Sequence, residues 1–220
     1  MKTSVITFGP FEENCYLAVC PDTSEAAVID PGGDAHEILA RARSLRAHVK
    51  WILITHGHAD HIAGNAGLKA ALPKAKIAIH EADAKMLVDA GLNLSAAFGA
   101  PITSPPANVL LRDRDVVAFG TIRLEVIHVP GHTPGGIALY SPVDPNLAAT
   151  MESKDPVLFS GDALFRGGIG RSDFPGGNGA QLIEAIRTRL LILPADTIVN
   201  PGHGESTTIG EEARSNPFLS

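Results

Sequence analysis

The sequence is short of the features that mark secreted and membrane proteins. Only two of its 220 residues are cysteines, and the odd separation of Cys15 and Cys20 places them on opposite faces of one predicted strand, so we expect no disulfide between them. No stretch reaches the roughly 18–20 apolar residues that span a bilayer. The apolar N-terminal stretch is interrupted by Pro10 and two glutamates, which argues against a signal peptide. We therefore predict a cytoplasmic protein with reduced thiols and no membrane partner.

Runs of lysine or arginine are also missing, and the formal net charge is −6. Proteins that bind nucleic acid usually carry a clustered basic face, so we expect no nucleic-acid partner. The composition, 45% hydrophobic and 19% charged, is typical of a globular domain. We expect a small-molecule substrate and a monomer or small homo-oligomer.

Strand and helix patterns alternate along the chain. The first thirty residues predict strands joined by turns, and residues 34–45 predict a helix that Asp34 caps. The apolar run VKWILIT predicts a strand buried on both faces, and further strand and helix patterns follow it. Residues 91–109 predict a long loop, and residues 142–155 predict an excursion between two strands. This order indicates an architecture in which helices cover a buried pair of sheets.

The stretch THGHADH, residues 55–61, packs three histidines and an aspartate directly after the run VKWILIT. His56 and His58 lie on one side of an extended segment, while Asp60 and His61 continue around the following turn. Imidazole and carboxylate groups are suitable ligands for Zn²⁺ and similar borderline ions. This pattern at the end of a buried strand therefore predicts a metal site.

Three other strand ends carry residues of the same kind, His132 in PGHTPGG, Asp162 in FSGDALF and His203 in NPGHGE. Because function gathers outside the carboxyl ends of strands in α/β sheets, we expect these side chains to join those of THGHADH. The candidate ligands are His56, His58, Asp60, His61, His132, Asp162 and His203. One tetrahedral Zn²⁺ takes four ligands, so seven indicate two divalent ions, with Asp162 as the candidate bridge. Zn²⁺ is the first choice, with iron and manganese as alternatives.

The four motifs resemble, in order, those of the metallo-β-lactamase fold superfamily. Within it the chain is similar to the glyoxalase II (hydroxyacylglutathione hydrolase) group, from FEENCYL to TTIGEEARSNPFL. The resemblance implies an α/β (α+β) fold, a four-layer αβ/βα sandwich with the metals at one edge of two facing sheets. It also implies two ligand sets bridged by Asp162: His56, His58 and His132 for the first metal, and Asp60, His61 and His203 for the second.

One departure from the glyoxalase II pattern concerns the C-terminus. Longer members carry a helical extension that supplies much of the glutathione-binding surface, whereas this sequence ends 17 residues after His203. The ending resembles the compact bacterial branch of the group. We therefore expect residues 1–220 to form a single hydrolase domain without that C-terminal glutathione-binding domain.

The resemblance implies hydrolysis of a thioester, S-lactoylglutathione or another acylglutathione, by attack of a metal-bridging hydroxide. Asp60 is the candidate catalytic residue that orients this nucleophile. An alternative is an Fe(II)-dependent glutathione persulfide dioxygenase, because that branch also has a stretch like Gly170–Phe174. A lactonase or β-lactamase on the same metals is a further alternative, and a non-catalytic metal-stabilised scaffold is disfavoured because the cluster lacks cysteine.

Two loops are candidates for substrate contact. The glycine-rich segment 164–177 contains Arg166 and Arg171, which either hold an anionic substrate group or form structural contacts such as an arginine–aspartate pair. The loop 91–109, with Phe98, either covers the site or is an inert surface loop.

Overall fold

The computed structural model describes residues 1–142 and 155–219, and its first sheet contains six strands that lie side by side in chain order. They are β1 (Lys2–Phe8), β2 (Glu13–Val19), β3 (Glu25–Ile29), β4 (His48–Leu53), β5 (Lys76–His80) and β6 (Val109–Leu111). The neighbours from β1 to β3 are antiparallel, and those from β3 to β6 are parallel. Five strands of this sheet, all except β2, therefore end at the same edge.

The remaining strands form a second six-stranded sheet and a short hairpin. They are β7 (Val116–Phe119), β8 (Ile122–His128), β9 (Ile137–Ser141), β10 (Val157–Gly161), β11 (Leu164–Phe165), β12 (Gly168–Ile169), β13 (Ile198–Pro201) and β14 (Thr207–Thr208). The sheet order is β14-β13-β10-β9-β8-β7, and β11 pairs with β12. Since β9 is antiparallel to both β8 and β10, and β13 is parallel to β10, the strands β8, β10 and β13 point the same way.

Helices cover the outer faces of both sheets. They are α1 (Ala35–Ser44), α2 (Ala59–Ile62), α3 (Asn65–Ala71), α4 (Gly179–Ala185) and α5 (Ile209–Ser215), with a 3₁₀ helix at Glu81–Leu87 and a π-helical turn at Ile186–Leu190. Apolar side chains of α1 and α3 pack on the first sheet, and those of α4 and α5 pack on the second. This is the predicted four-layer α/β sandwich.

The central core lies between the two sheets. Tyr16 of β2 and Phe159 of β10 meet across it with ring centroids 5.2 Å apart. The two cysteines are buried and free; Cys20 belongs to this central core and Cys15 to the layer beneath the helices. The two cysteine side chains therefore lie on opposite faces of the sheet, as predicted, and form no disulfide. In the described part of the chain, every helix is too short or too polar to cross a membrane.

The structure refines several predicted elements. Asp34 caps α1 by accepting the His36 N–H at 2.9 Å, as predicted. The stretch IAGNAGLKAAL after THGHADH has a helical pattern, but its helix α3 begins only at Asn65, because the Gly64 N–H donates to the Pro31 carbonyl at 2.7 Å. The short strands β6, β7, β11, β12 and β14 were not predicted, since two to four residues show no clear periodicity. The seven-residue helix α5 was not predicted either.

Two further predictions concern loops. Residues 91–108 are without strands or regular helices, as predicted, and Val109 already begins β6. The predicted excursion at 142–155 is flanked by β9 and β10 as expected, but its residues 143–154 lie outside the described part of the chain.

Truncating the inter-sheet contact should destabilise the fold. We expect Phe159→Ala to lower the free energy of unfolding by about 3–5 kcal/mol, because a buried ring is lost and a cavity is left between the sheets. Urea unfolding at a fixed zinc concentration measures this. Phe218→Ala, at an exposed phenylalanine, is the control and should change the unfolding midpoint little; equal effects of the two substitutions would contradict the assignment of the core.

Candidate metal centre

The predicted ligands lie at the edge where the strands of both sheets end. His56 and His58 follow β4, and α2 carries Asp60 and His61. The other three ligand positions follow strands of the second sheet: His132 after β8, Asp162 after β10 and His203 after β13. A hydrogen bond from the Ile137 N–H to the Thr55 carbonyl, 2.9 Å long, ties the two sheets together at this edge. All seven predicted residues are therefore brought together.

Three histidines converge at the first position. The Nδ1 atom of His58 lies 3.0 Å from Nε2 of His132, and that Nε2 lies 3.2 Å from Nε2 of His56. The opposite nitrogen of His132, Nδ1, donates to the Arg171 carbonyl at 2.7 Å, which leaves Nε2 without a proton. These three nitrogens are close enough to share one ion.

The second position is formed by Asp60, His61 and His203. The Nδ1 atom of His203 donates to the Phe11 carbonyl at 2.7 Å, and Nδ1 of His61 lies 3.1 Å from Oδ2 of Asp30. Both rings therefore turn Nε2 inward, and these two nitrogens are 3.3 Å apart. Although burial alone would lower the pKa of His61 and of His203, the nearby carboxylates raise both, so a metal bound here would replace protons on these rings. The Oδ2 atom of Asp60 lies 3.6 Å from Nε2 of His203.

Asp162 lies between the two positions. Its Oδ1 is 3.4 Å from Nε2 of His61, and its Oδ2 is 3.6 Å from Nε2 of His132 and 3.5 Å from Nε2 of His203. Its buried Oδ1 has no hydrogen-bond partner in the described part of the chain. A carboxylate that reaches both histidine groups has the placement required of a bridging ligand.

The donor set fits two divalent cations on chemical grounds. Ring nitrogens that face one another at 3.0–3.3 Å, beside a buried carboxylate oxygen without a hydrogen-bond donor in the described residues, need positive charge among them. Imidazole and carboxylate groups are ligands of zinc, iron and manganese. His56, His58 and His132 would hold one ion, Asp60, His61 and His203 the other, and Asp162 would contact both.

Burial and neighbouring charges set the protonation states in the cluster. Burial and the adjacent histidines hold the pKa of His56 well below its usual value and lower the pKa of His58 to about 3. Burial by itself would raise the pKa of Asp162, but the nearby His61 and His203 hold it below its ordinary range. Neutral imidazole and ionised carboxylate are the forms that bind metal.

Two buried aspartates that were not predicted support the ligand loops. Asp30, after β3, accepts the Thr55 N–H at 2.7 Å and the Thr55 hydroxyl at 2.6 Å, in addition to its contact with His61. The strand-end rule that identified Asp162 applies equally to Asp30, so the sequence did contain its signal. Asp83 lies in the 3₁₀ helix, where no such signal exists.

Asp83 connects the loops that carry the first three histidines. Its carboxylate accepts the Gly57 N–H at 3.2 Å, the Thr133 hydroxyl at 2.7 Å and the Gly135 N–H at 2.6 Å. Gly57 separates His56 from His58, and Thr133 follows His132. A single fully buried carboxylate therefore fixes the relative position of these loops.

A cavity of about 640 Å³ opens onto the cluster, with His58, Asp60, His132, Asp162 and His203 among its lining residues. The loop 91–109 contributes several lining residues, Phe98 among them, which supports its prediction as a cover of the site. Glu13 also lines the cavity, and both of its carboxylate oxygens lack partners within the described residues. Burial raises the pKa of Glu13 well above its usual value; no sequence pattern had indicated this residue.

The two predicted substrate-binding arginines have different positions. Arg171 lines the cavity, but its guanidinium makes two 2.8 Å bonds to Asp173 and lies 3.8 Å from the Phe174 ring centroid. Arg166 is absent from the cavity lining and pairs with Glu205 on the surface. The predicted structural arginine–aspartate contact is thus present, while neither guanidinium is a free anion-binding group in the cavity.

Comparisons with known proteins agree with this geometry. A family model described as the metallo-beta-lactamase superfamily matches residues 8–150 and 152–203. The hydroxyacylglutathione hydrolase GloC of Haemophilus influenzae is 38% identical over 221 residues, which cover 100% of this chain and 98% of that protein. Among solved structures, the BLEG-1 B3 metallo-beta-lactamase has a TM-score of 0.89 at 37% identity and 100% coverage of both chains. TTHA1623, in a di-iron-bound form, has a TM-score of 0.81 at 38% identity, covering 98% of this chain and all of that one.

The chain belongs to the metallo-β-lactamase superfamily. It is a metal-binding hydrolase of that superfamily, and the fold implied by its four motifs is confirmed.

Metal content should reveal two positions. We expect about two zinc ions per chain in the unmodified protein and about one in His203→Ala, because that substitution removes a ligand of only the second position. Inductively coupled plasma mass spectrometry after dialysis counts the ions. The exposed His36→Ala variant should keep two, and a single ion in the unmodified protein would contradict the two-ion assignment.

Asp83→Asn should loosen the first position specifically. An amide in either orientation turns an NH₂ group toward a backbone or hydroxyl donor, so one of the three bonds that fix the histidine loops is lost. We expect metal affinity to fall about 10–100-fold, measured by competition with a chromogenic chelator. The matched control is Asp115→Asn, at an exposed aspartate that accepts the Arg112 N–H; an equal loss there would show a general effect of the substitution.

Proposed function

We propose that this protein hydrolyses a thioester, S-lactoylglutathione or another acylglutathione. The observation that carries the proposal is the placement of Asp162 between two groups of inward-facing ligands at the floor of an open cavity. The relative named hydroxyacylglutathione hydrolase, matched along nearly its whole length, supports the choice of substrate.

Two divalent ions held by these residues would lower the pKa of a bound water to about 7 and polarise the carbonyl of the substrate. The chain itself orients the reactants. Asp60, whose carboxylate is about one-third exposed at the cavity floor, is placed to accept a hydrogen bond from the attacking water. The Arg171 carbonyl fixes the ring of His132, so the ligands keep their positions during turnover.

A covalent route through a nucleophilic side chain is disfavoured. Cys15 and Cys20 are buried in the packed layers of the fold and do not line the cavity. Ser95 lines the cavity, but its hydroxyl donates to Asn93 Oδ1 at 2.6 Å. A thiolate leaves readily because free thiols have a pKa near 8.5, so the reaction needs no dedicated general acid.

The zinc-loaded protein should release glutathione from S-lactoylglutathione. A colorimetric thiol reagent measures the released glutathione. We expect Asp60→Asn to lower kcat about 100-fold, because the amide no longer acts as a base toward water. Asp115→Asn serves again as the control and should keep the activity of the unmodified protein.

The same assay separates the alternatives. Protein loaded with zinc, iron or manganese is also given glutathione persulfide, a homoserine lactone and nitrocefin. Oxygen consumption on the persulfide with one iron per chain would identify a dioxygenase. Turnover of only the lactone or nitrocefin would identify a different hydrolase and reject the thioester proposal.

A further inference from the structure

The walls of the cavity are mainly apolar, although its floor is the polar metal centre. Aromatic and aliphatic side chains from three separate segments line it. We define the apolar wall by six of these residues: Phe11, Leu94, Phe98, Ile102, Phe165 and Phe174. Phe11 is 65% exposed and Phe98 is 70% exposed. Large apolar side chains that are exposed together around a cavity typically mark a binding surface.

The loop behind Leu94 and Phe98 is built to present these side chains. Asn93 and Ser95 are buried, and their polar groups are used within the loop: the Asn93 amide donates to the Met86 and Ile102 carbonyls, and the Ser95 hydroxyl contacts Asn93. Between them Leu94 has a φ of 71°, a left-handed conformation that is strained for a bulky residue. Such strain commonly persists where a side chain serves a binding site.

Charge distribution limits what the cavity can hold. Apart from the histidines of the metal centre, Arg171 is the one cationic residue among the described residues of the lining, and Asp173 already pairs with it. Glutathione carries two carboxylates and one ammonium group. Burying a carboxylate against the apolar wall without a cationic partner would be costly. The glutathione half of a thioester is therefore poorly suited to this cavity, and an uncharged acyl half is well suited.

We propose that the cavity is an acyl pocket, which selects thioesters whose acyl group is an uncharged apolar chain of medium length or an aryl group. The inference rests on the proposed thioesterase function. The acyl chain contacts the apolar wall, the carbonyl lies at the metal centre, and the thiol half remains at the mouth. Water adds to the carbonyl carbon as the carbon–sulfur bond breaks, so the products are the carboxylic acid and the thiol. The volume of about 640 Å³ is within the range of small-ligand pockets.

The test is a series of thioesters that share one thiol. Acetyl-, butanoyl-, hexanoyl- and octanoylglutathione are compared with S-lactoylglutathione by kcat/KM. We expect kcat/KM to rise about fourfold per methylene until the pocket is full, and S-lactoylglutathione to fall below hexanoylglutathione. A flat or falling series, with S-lactoylglutathione preferred, would overturn the acyl pocket while leaving the thioesterase proposal standing.

Variants locate the selectivity. Phe98→Ala and Phe174→Ala should each reduce the gain per methylene, because both remove surface from the apolar wall. Phe218→Ala replaces an exposed phenylalanine that is not part of the cavity lining and should keep the full gain. An unchanged gain in both wall variants would overturn the assignment of these residues.

A binding measurement makes the test independent of turnover. Titration calorimetry of the zinc-loaded protein with acetate, hexanoate and octanoate reports product affinity, which should also increase about fourfold per methylene. Octanoate binding no tighter than acetate would overturn the acyl pocket. Chain-length-dependent binding together with no thioester turnover would reject the proposed function and keep the apolar pocket, so the two failures can be told apart.

Discussion

The convergence of seven candidate metal ligands at one edge of the sandwich is the constraint on which this structure depends. Inward-facing nitrogens of His61 and His203 lie 3.3 Å apart, and the Asp162 carboxylate faces both histidine groups. Such groups stay together only if a rigid framework holds them and cations neutralise them. The hydrogen bonds from Nδ1 of His132 and His203 to backbone carbonyls therefore help to hold the ligand rings in place.

Two packed sheets provide that framework. The ligands follow strands that end at one edge. These strands are held in place by the hydrophobic core between the two sheets. The buried carboxylates of Asp30 and Asp83 extend this rigidity into the loops, since each accepts several hydrogen bonds from ligand-bearing segments. The positions of the metal ligands are thus set by the sheets. The loops next to the metal centre form the walls of the cavity.

The cavity combines a charged floor with apolar walls. In our proposal this division separates the chemistry, which depends on the metal ligands, from substrate selection, which depends on lining side chains such as Leu94 and Phe98. Relatives of this chain carry names as different as hydroxyacylglutathione hydrolase and B3 metallo-beta-lactamase. Because a fold does not fix a function, we expect the walls of the cavity to select the substrate.

The sequence by itself determined the fold class and the set of converging ligands. Histidines and aspartates at the ends of successive strands form a pattern that can be recognised in the sequence alone. It did not determine the role of Asp83, which lies in a short helix without any motif, or the position of Glu13 in the cavity lining. It also left open whether Arg166 and Arg171 face a substrate. Only the tertiary structure decided these points, since hydrogen-bond partners, ion pairs and the lining of a cavity depend on residues far apart in the chain.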